Sequence, residues 1–146
     1  MATFARHATV NWSGSIMEGS GEARAGTGAF TLPVSFPRRI GEPEGTTSPE
    51  ELIAAAHATC YSMVVAAAMG RKNASAQRTE VTCTVTGDKT DAGIKIVSSK
   101  LELVAHGLSG IDAETFVQSA KEAEMKCPVS NALRGSLAIE VDVRVD

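Results

Sequence analysis

Aromatic residues are scarce in this chain of 146 residues, which holds one Trp, one Tyr and four Phe. Its core must be assembled from aliphatic and small side chains. Abundant alanine and glycine allow helices to approach closely, between subunits as well as within one. Cysteine is scarce too: three residues with no CxxC are too few, and odd in number, for a disulfide scaffold. A reducing cytoplasm is the expected setting, where a disulfide would be transient and catalytic rather than structural. Neither sign of charge dominates. The net charge of −3 is spread along the chain without a basic stripe, so nucleic-acid binding has no electrostatic footing. The N-terminal segment carries no apolar run, and no secretory signal is expected. What remains, 43% hydrophobic and 21% charged, is the composition of a soluble globular protein, and the length suits a single domain over 1–146.

Along the chain, alternation of β-formers predicts strands in the first third, at His7–Ser13 and in two short runs between Ala23 and Phe36. A polar loop punctuated by Pro and Gly follows from Pro37 to Gly45. A helix start comes next: Ser48 is a candidate N-cap, Pro49 suits the first helical position, and Glu51 stands where a capping box needs it. From Leu52 to Met69 no Pro or Gly intervenes, and Gly70 offers a C-terminal stop. This helix is apolar nearly all round, which predicts a central, buried element. It approaches the roughly 18–20 apolar residues that cross a bilayer, but His57, Thr59, Ser62 and a majority of alanine argue against a membrane span. Beyond it, Thr79–Gly87 and Ile94–Ala105 alternate as a hairpin around the turn Asp88–Gly93. Asp112 caps a second helix running to about Lys126, Cys127-Pro128 breaks it, and Ser136–Val145 alternates as a last strand. Strands, helix, hairpin, helix and strand in that order define an α+β domain.

Two of the three cysteines stand in informative places. Cys60 lies mid-helix with His57 three residues before it on the same face. It reads either as a buried small hydrophobe or as a nucleophile, and a mid-helix thiol needs a nearby cation to become reactive. Arg38 and Arg39, in the loop before the helix, are the candidate suppliers. Cys127 sits on the bend before Pro128, either as a packing residue or as a thiol mobile enough to meet another sulfur. Cys83, mid-strand between threonines, reads as structural. Glu50 lies ten residues before Cys60, about 15 Å along a helix axis. If both serve one site, the helix is bent or a second subunit contributes. His57 admits three readings: a hydrogen-bonded core residue, a Cys–His pair, or a zinc ligand with Cys60 and Cys127.

Two segments carry a resemblance. Thr47-Ser-Pro-Glu-Glu-Leu-Ile-Ala-Ala-Ala-His-Ala-Thr-Cys-Tyr61 and Lys126-Cys-Pro-Val-Ser-Asn131 resemble the paired motifs of the osmotically inducible protein C and organic hydroperoxide resistance (OsmC/Ohr) superfamily. His57 and Val129 favour the OsmC branch. The resemblance implies antiparallel sheets around a long central helix, in an intertwined homodimer with sites at the subunit interface. It implies a thiol peroxidase acting on organic hydroperoxides, with Cys60 peroxidatic, Cys127 resolving, and Arg39 and Glu50 completing the site. Arg38 adjoins the arginine position and competes for it. No metal or organic cofactor is implied. The expected partners are a hydroperoxide and an external dithiol reductant, such as a lipoylated protein. The alternative is a non-enzymatic stress protein that binds a small apolar ligand in the interface cleft.

Overall fold

The computed structural model describes residues Met1 to Asp146, which pack as two compact units, Met1–Leu52 and Ile53–Asp146. In the first unit, β1 (Ala8–Ser13), β2 (Ser20–Ala25) and β3 (Thr31–Val34) form an antiparallel sheet in chain order. The expected loop after β3 contains a short helix, α1 (Phe36–Ile40). The Ser35 hydroxyl accepts from the Arg38 N–H at 3.3 Å, and Pro37 lies in the first turn. A serine cap and an early proline are helix-start signals, here confined to five residues because Gly41 and Pro43 follow.

The long helix α2 (Pro49–Arg71) begins in the first unit and continues in the second. Ser48 caps it, accepting from the Glu51 N–H at 3.1 Å. The capping box is only half formed, because the Glu51 carboxylate instead accepts from the Thr47 hydroxyl at 2.7 Å. Nor does Gly70 end the helix. The left-handed residue is Asn73, at φ 54°, with the Ala74 N–H bonded back to the Met69 carbonyl; asparagine is among the few side chains that tolerate this region.

The second unit holds a sheet in the order β4-β5-β6. β4 (Ser75–Thr90) and β5 (Gly93–Ser109) make a hairpin longer than the sequence suggested, with a tighter turn and an irregularity at Thr86/Gly87. Gly93, at φ 124°, supplies the conformation the turn requires. β6 (Ala138–Val145) joins parallel to β5, so this sheet is mixed rather than antiparallel. The reason is connectivity: α3 (Ala113–Ala123), a 3-10 turn at Glu124–Lys126 and α4 (Pro128–Leu133) form a crossover, and a crossover returns a strand parallel.

The core of the second unit joins Tyr61, Val65 and Met69 of α2 to Leu101, Leu103 and Ala105 of β5 and Phe116, Ala120 and Ala123 of α3. His57, Tyr61, Val65 and Met69 recur every fourth residue, which defines one face of a helix. The helix is therefore not enclosed all round. Ala55, Ala56, Thr59, Met63, Ala66 and Ala67 are exposed, and only 22% of its most apolar window is buried within the chain. By length and composition α2 could cross a membrane. Its buried face is nevertheless packed into a protein core.

Candidate active site

In the first unit Glu50 is held by Arg39 and not by Arg38. Arg39 projects from α1 onto Glu50 in the first turn of α2. Its Nε donates to Oε1 at 3.0 Å and Oε2 at 3.1 Å, and its Nη2 donates to Oε1 at 2.7 Å. Forked contacts of this kind fix the guanidinium plane as well as its position. The pair is mostly sheltered, with side-chain exposures of 26% and 15%. The hydrogen bonds from Arg39, against the opposing effect of burial, hold the Glu50 carboxyl below its ordinary value. Arg38 turns the other way, pairing with exposed Glu44 at 2.7 Å and donating to the Glu42 carbonyl. Beside Arg39 opens an apolar hollow of about 240 Å³ whose lining includes Val10, Trp12, Val34, Phe36 and Leu52. Leu52, near the start of α2, is its one contribution from beyond the first helical residues. Val64 packs against the core instead, and Met63 is 67% exposed.

In the second unit Cys60 is half-buried on α2, and Cys127 is fully buried at the junction of the 3-10 turn and α4. All three cysteines are free thiols. The Cys127 residue is extended (φ −77°, ψ 114°), as a residue before proline tends to be. It caps α4, its Sγ accepting from the Ser130 N–H at 3.5 Å. The Cys60 and Cys127 thiols are neighbours. Burial pushes the Cys60 thiol up; the Val129 N–H directed at it pulls the other way, and the adjacent Cys127 thiol raises it further. Its surroundings in this unit thus favour the neutral thiol over the thiolate.

His57 is fully buried and uses both ring nitrogens. Nδ1 lies 2.7 Å from Ser99 Oγ and Nε2 lies 2.6 Å from Ser130 Oγ. It is therefore a hydrogen-bonded core residue. A zinc ion would need one of those nitrogen lone pairs, and no cluster of three or more ligating side chains is present. Burial is the main influence lowering the His57 pKa, with Glu124 opposing and Arg134 assisting. Glu124 is itself buried in the 3-10 turn and paired with Arg134. Cys83, on β4, lies 3.2 Å from Ser99 Oγ. Ser99 and Ser130 are absent from the site residues expected from the sequence. Ser99 had a legible signal, since it falls in phase with Leu101, Leu103 and Ala105 on the inward face of β5. A serine in a buried phase needs a polar partner.

A mixed α+β fold of two small sheets, with one thiol on a long helix and another before a proline-started helix, defines the OsmC-like class. The chain belongs to this family: the OsmC-like protein profile matches residues 41–142. It is 33% identical to the peroxiredoxin OsmC of Escherichia coli, over 97% of this chain and 99% of that one. It is also 30% identical to the organic hydroperoxide resistance protein-like 2 of Staphylococcus epidermidis, over 78% of this chain and 80% of that one. A crystal structure of an organic hydroperoxide resistance protein OsmC from Legionella pneumophila superposes with a TM-score of 0.77. That match covers 99% of this chain and all of the other, at 25% identity.

Proposed function

We propose that this protein is a two-cysteine thiol peroxidase that reduces organic hydroperoxides to alcohols in stress defence. The observation that carries this reading is the pairing of neighbouring free thiols, Cys60 and Cys127, on two different elements of one unit. The names of the relatives, peroxiredoxin OsmC and organic hydroperoxide resistance protein, support a hydroperoxide as substrate.

The chemistry balances without a metal. The Cys60 thiolate attacks the terminal peroxide oxygen, the O–O bond breaks, and the leaving alkoxide takes a proton to become the alcohol. Cys60 is then a sulfenic acid. The Cys127 sulfur displaces its oxygen as water, forming the Cys60–Cys127 disulfide and forestalling over-oxidation. An external dithiol returns both thiols by exchange.

Arg39 supplies the activating charge, lowering the Cys60 pKa and stabilising the departing alkoxide, while Glu50 holds its plane. Glu50 lies about 15 Å along the helix axis from Cys60, so this assignment takes the Arg39–Glu50 pair from the second copy in an intertwined homodimer. Two unpartnered surfaces support the dimer: the alanine-rich outer face of α2 and the exposed apolar side chains Val10 and Trp12 of β1. The hollow beside Arg39 suits a short alkyl or single-ring group.

The test is stoichiometric titration of the reduced protein with cumene hydroperoxide and with hydrogen peroxide, followed by thiol counting and disulfide mapping. One equivalent of organic peroxide should consume two thiols and link Cys60 to Cys127, faster than hydrogen peroxide does. Cys60→Ser should abolish turnover, and Cys127→Ser should allow one oxidation and then accumulate sulfinic acid. Full activity in Cys60→Ser would sink the proposal. The apolar lining of the hollow favours a second reading, a small-ligand-binding protein; ligand binding with no disulfide formed on peroxide titration would favour it.

A further inference from the structure

His57, Ser99 and Ser130 form a fully buried polar chain across three elements, α2, β5 and α4. A neutral imidazole has one N–H donor and one acceptor nitrogen, so the chain can run in only two directions. In one, the Ser130 O–H donates to Nε2, the Nδ1–H donates to Ser99 Oγ, and the Ser99 O–H donates to Cys83 Sγ; every buried hydroxyl proton then has an acceptor. In the other, Nε2–H donates to Ser130 Oγ, and the Ser130 proton is left without one. Burying an unsatisfied hydroxyl is costly, which favours the first direction. That direction makes His57 the Nδ1–H tautomer, with Nε2 accepting from Ser130.

Ser130 therefore has two tasks. Its hydroxyl is anchored to His57, while its backbone N–H donates to the Cys127 sulfur at 3.5 Å. The groups that bear on His57 are Glu124, whose charge opposes that of Arg134, together with Cys83. None displaces Ser130 from Nε2. We propose that His57 is a positioning residue for the resolving thiol: by anchoring Ser130 it fixes the first turn of α4, and with it the direction in which Cys127 Sγ is presented to Cys60. This rests on the two-cysteine reading above. The reacting atoms remain the two sulfurs.

The experiment separates this role from simple support of the fold by using two amides that imitate different ring nitrogens. A Gln amide reaches the position of Nε2 and can accept from Ser130; an Asn amide reaches only the position of Nδ1 and leaves Ser130 free. His57→Gln, His57→Asn and Ser130→Ala are oxidised with cumene hydroperoxide over a range of concentrations. The readout, by mass spectrometry, is the peroxide concentration at which half of Cys60 ends as sulfinic acid rather than disulfide. That concentration reports disulfide closure relative to over-oxidation, and is read alongside the melting temperature.

His57→Gln should stay within about threefold of the unmodified protein. His57→Asn and Ser130→Ala should fall about tenfold, the scale of one buried hydrogen bond. The proposal is overturned if the Gln and Asn variants fall together, or if all three stay within about threefold. Should His57→Asn fail to fold, Ser130→Ala against His57→Gln makes the same comparison. If the unmodified protein forms no Cys60–Cys127 disulfide, the two-cysteine reading itself fails and takes this proposal with it; disulfide formation with unaltered variants removes the positioning role alone.

Discussion

Replacing Glu50 by Gln removes one charge from the most completely forked ion pair in the protein while keeping the side chain's shape. Three N–H···O contacts at 2.7–3.1 Å join Arg39 to Glu50, and both groups are largely shielded from solvent. Exposed pairs are worth about 0–1 kcal/mol, and breaking a fully buried one costs about 3–5 kcal/mol. A partly buried fork lies between them, so Glu50→Gln should cost about 1.5–2 kcal/mol. The assay is urea unfolding of the unmodified protein, Glu50→Gln, Arg39→Gln and the double variant at one fixed protein concentration. The double-mutant cycle should return a coupling of about 1–2 kcal/mol. The sign of its pH dependence follows from the carboxylate. Its pKa is lowered in the folded protein from an ordinary 4.5, so the stabilisation is complete above that value and disappears as the pH falls through the lowered native one. A coupling under about 0.5 kcal/mol at pH 7, or one undiminished in strong acid, would refute the reasoning.

Two further outcomes are expected. Tyr61→Phe deletes a fully buried hydroxyl that donates to the Ala120 carbonyl at 2.6 Å and should destabilise by about 1–2 kcal/mol in thermal or urea unfolding; a loss below about 0.3 kcal/mol would mean that the bond adds nothing beyond packing. Met63→Asp places a charge on the outer face of α2, where Met63 is 67% exposed in the single chain. If that face is covered in a homodimer, losing two buried methionines removes about 4 kcal/mol, or about a thousandfold in Kd. Sedimentation should then show the unmodified dimer replaced by a monomer, with peroxide turnover lost. A monomeric and fully active unmodified protein would contradict the dimer.

Local features translated well from sequence where one segment contains all the needed partners. Ser48 caps α2, Asp112 caps α3 by accepting from the Thr115 N–H at 2.8 Å, and the β4–β5 hairpin forms around its turn. The departures have a common cause, namely a choice among local alternatives made by neighbours. Glu51 had a partner in Thr47 as well as in the Ser48 backbone, and the hydroxyl won. Asn73 rather than Gly70 took the left-handed position at the end of α2. β6 alternates as either kind of strand would, and its parallel direction comes from the α3–α4 crossover.

The candidate site divides along the same line. Sequence alone determined which residues are available: two thiols in distinctive contexts, a carboxylate opening a long helix, and two adjacent arginines. It also determined that a mid-helix thiol is not self-activating, because residue type, helical rise and the dipole's short reach are properties of a segment. Tertiary structure decided which arginine Glu50 holds, since Arg38 and Arg39 leave one turn of α1 in different directions. It set Cys127 beside Cys60, left one face of α2 uncovered, and gave His57 its hydroxyl partners from β5 and α4. Hydrogen bonds and thiol contacts act over a few ångströms, so they depend on how elements pack and not on how far apart their residues lie in the chain.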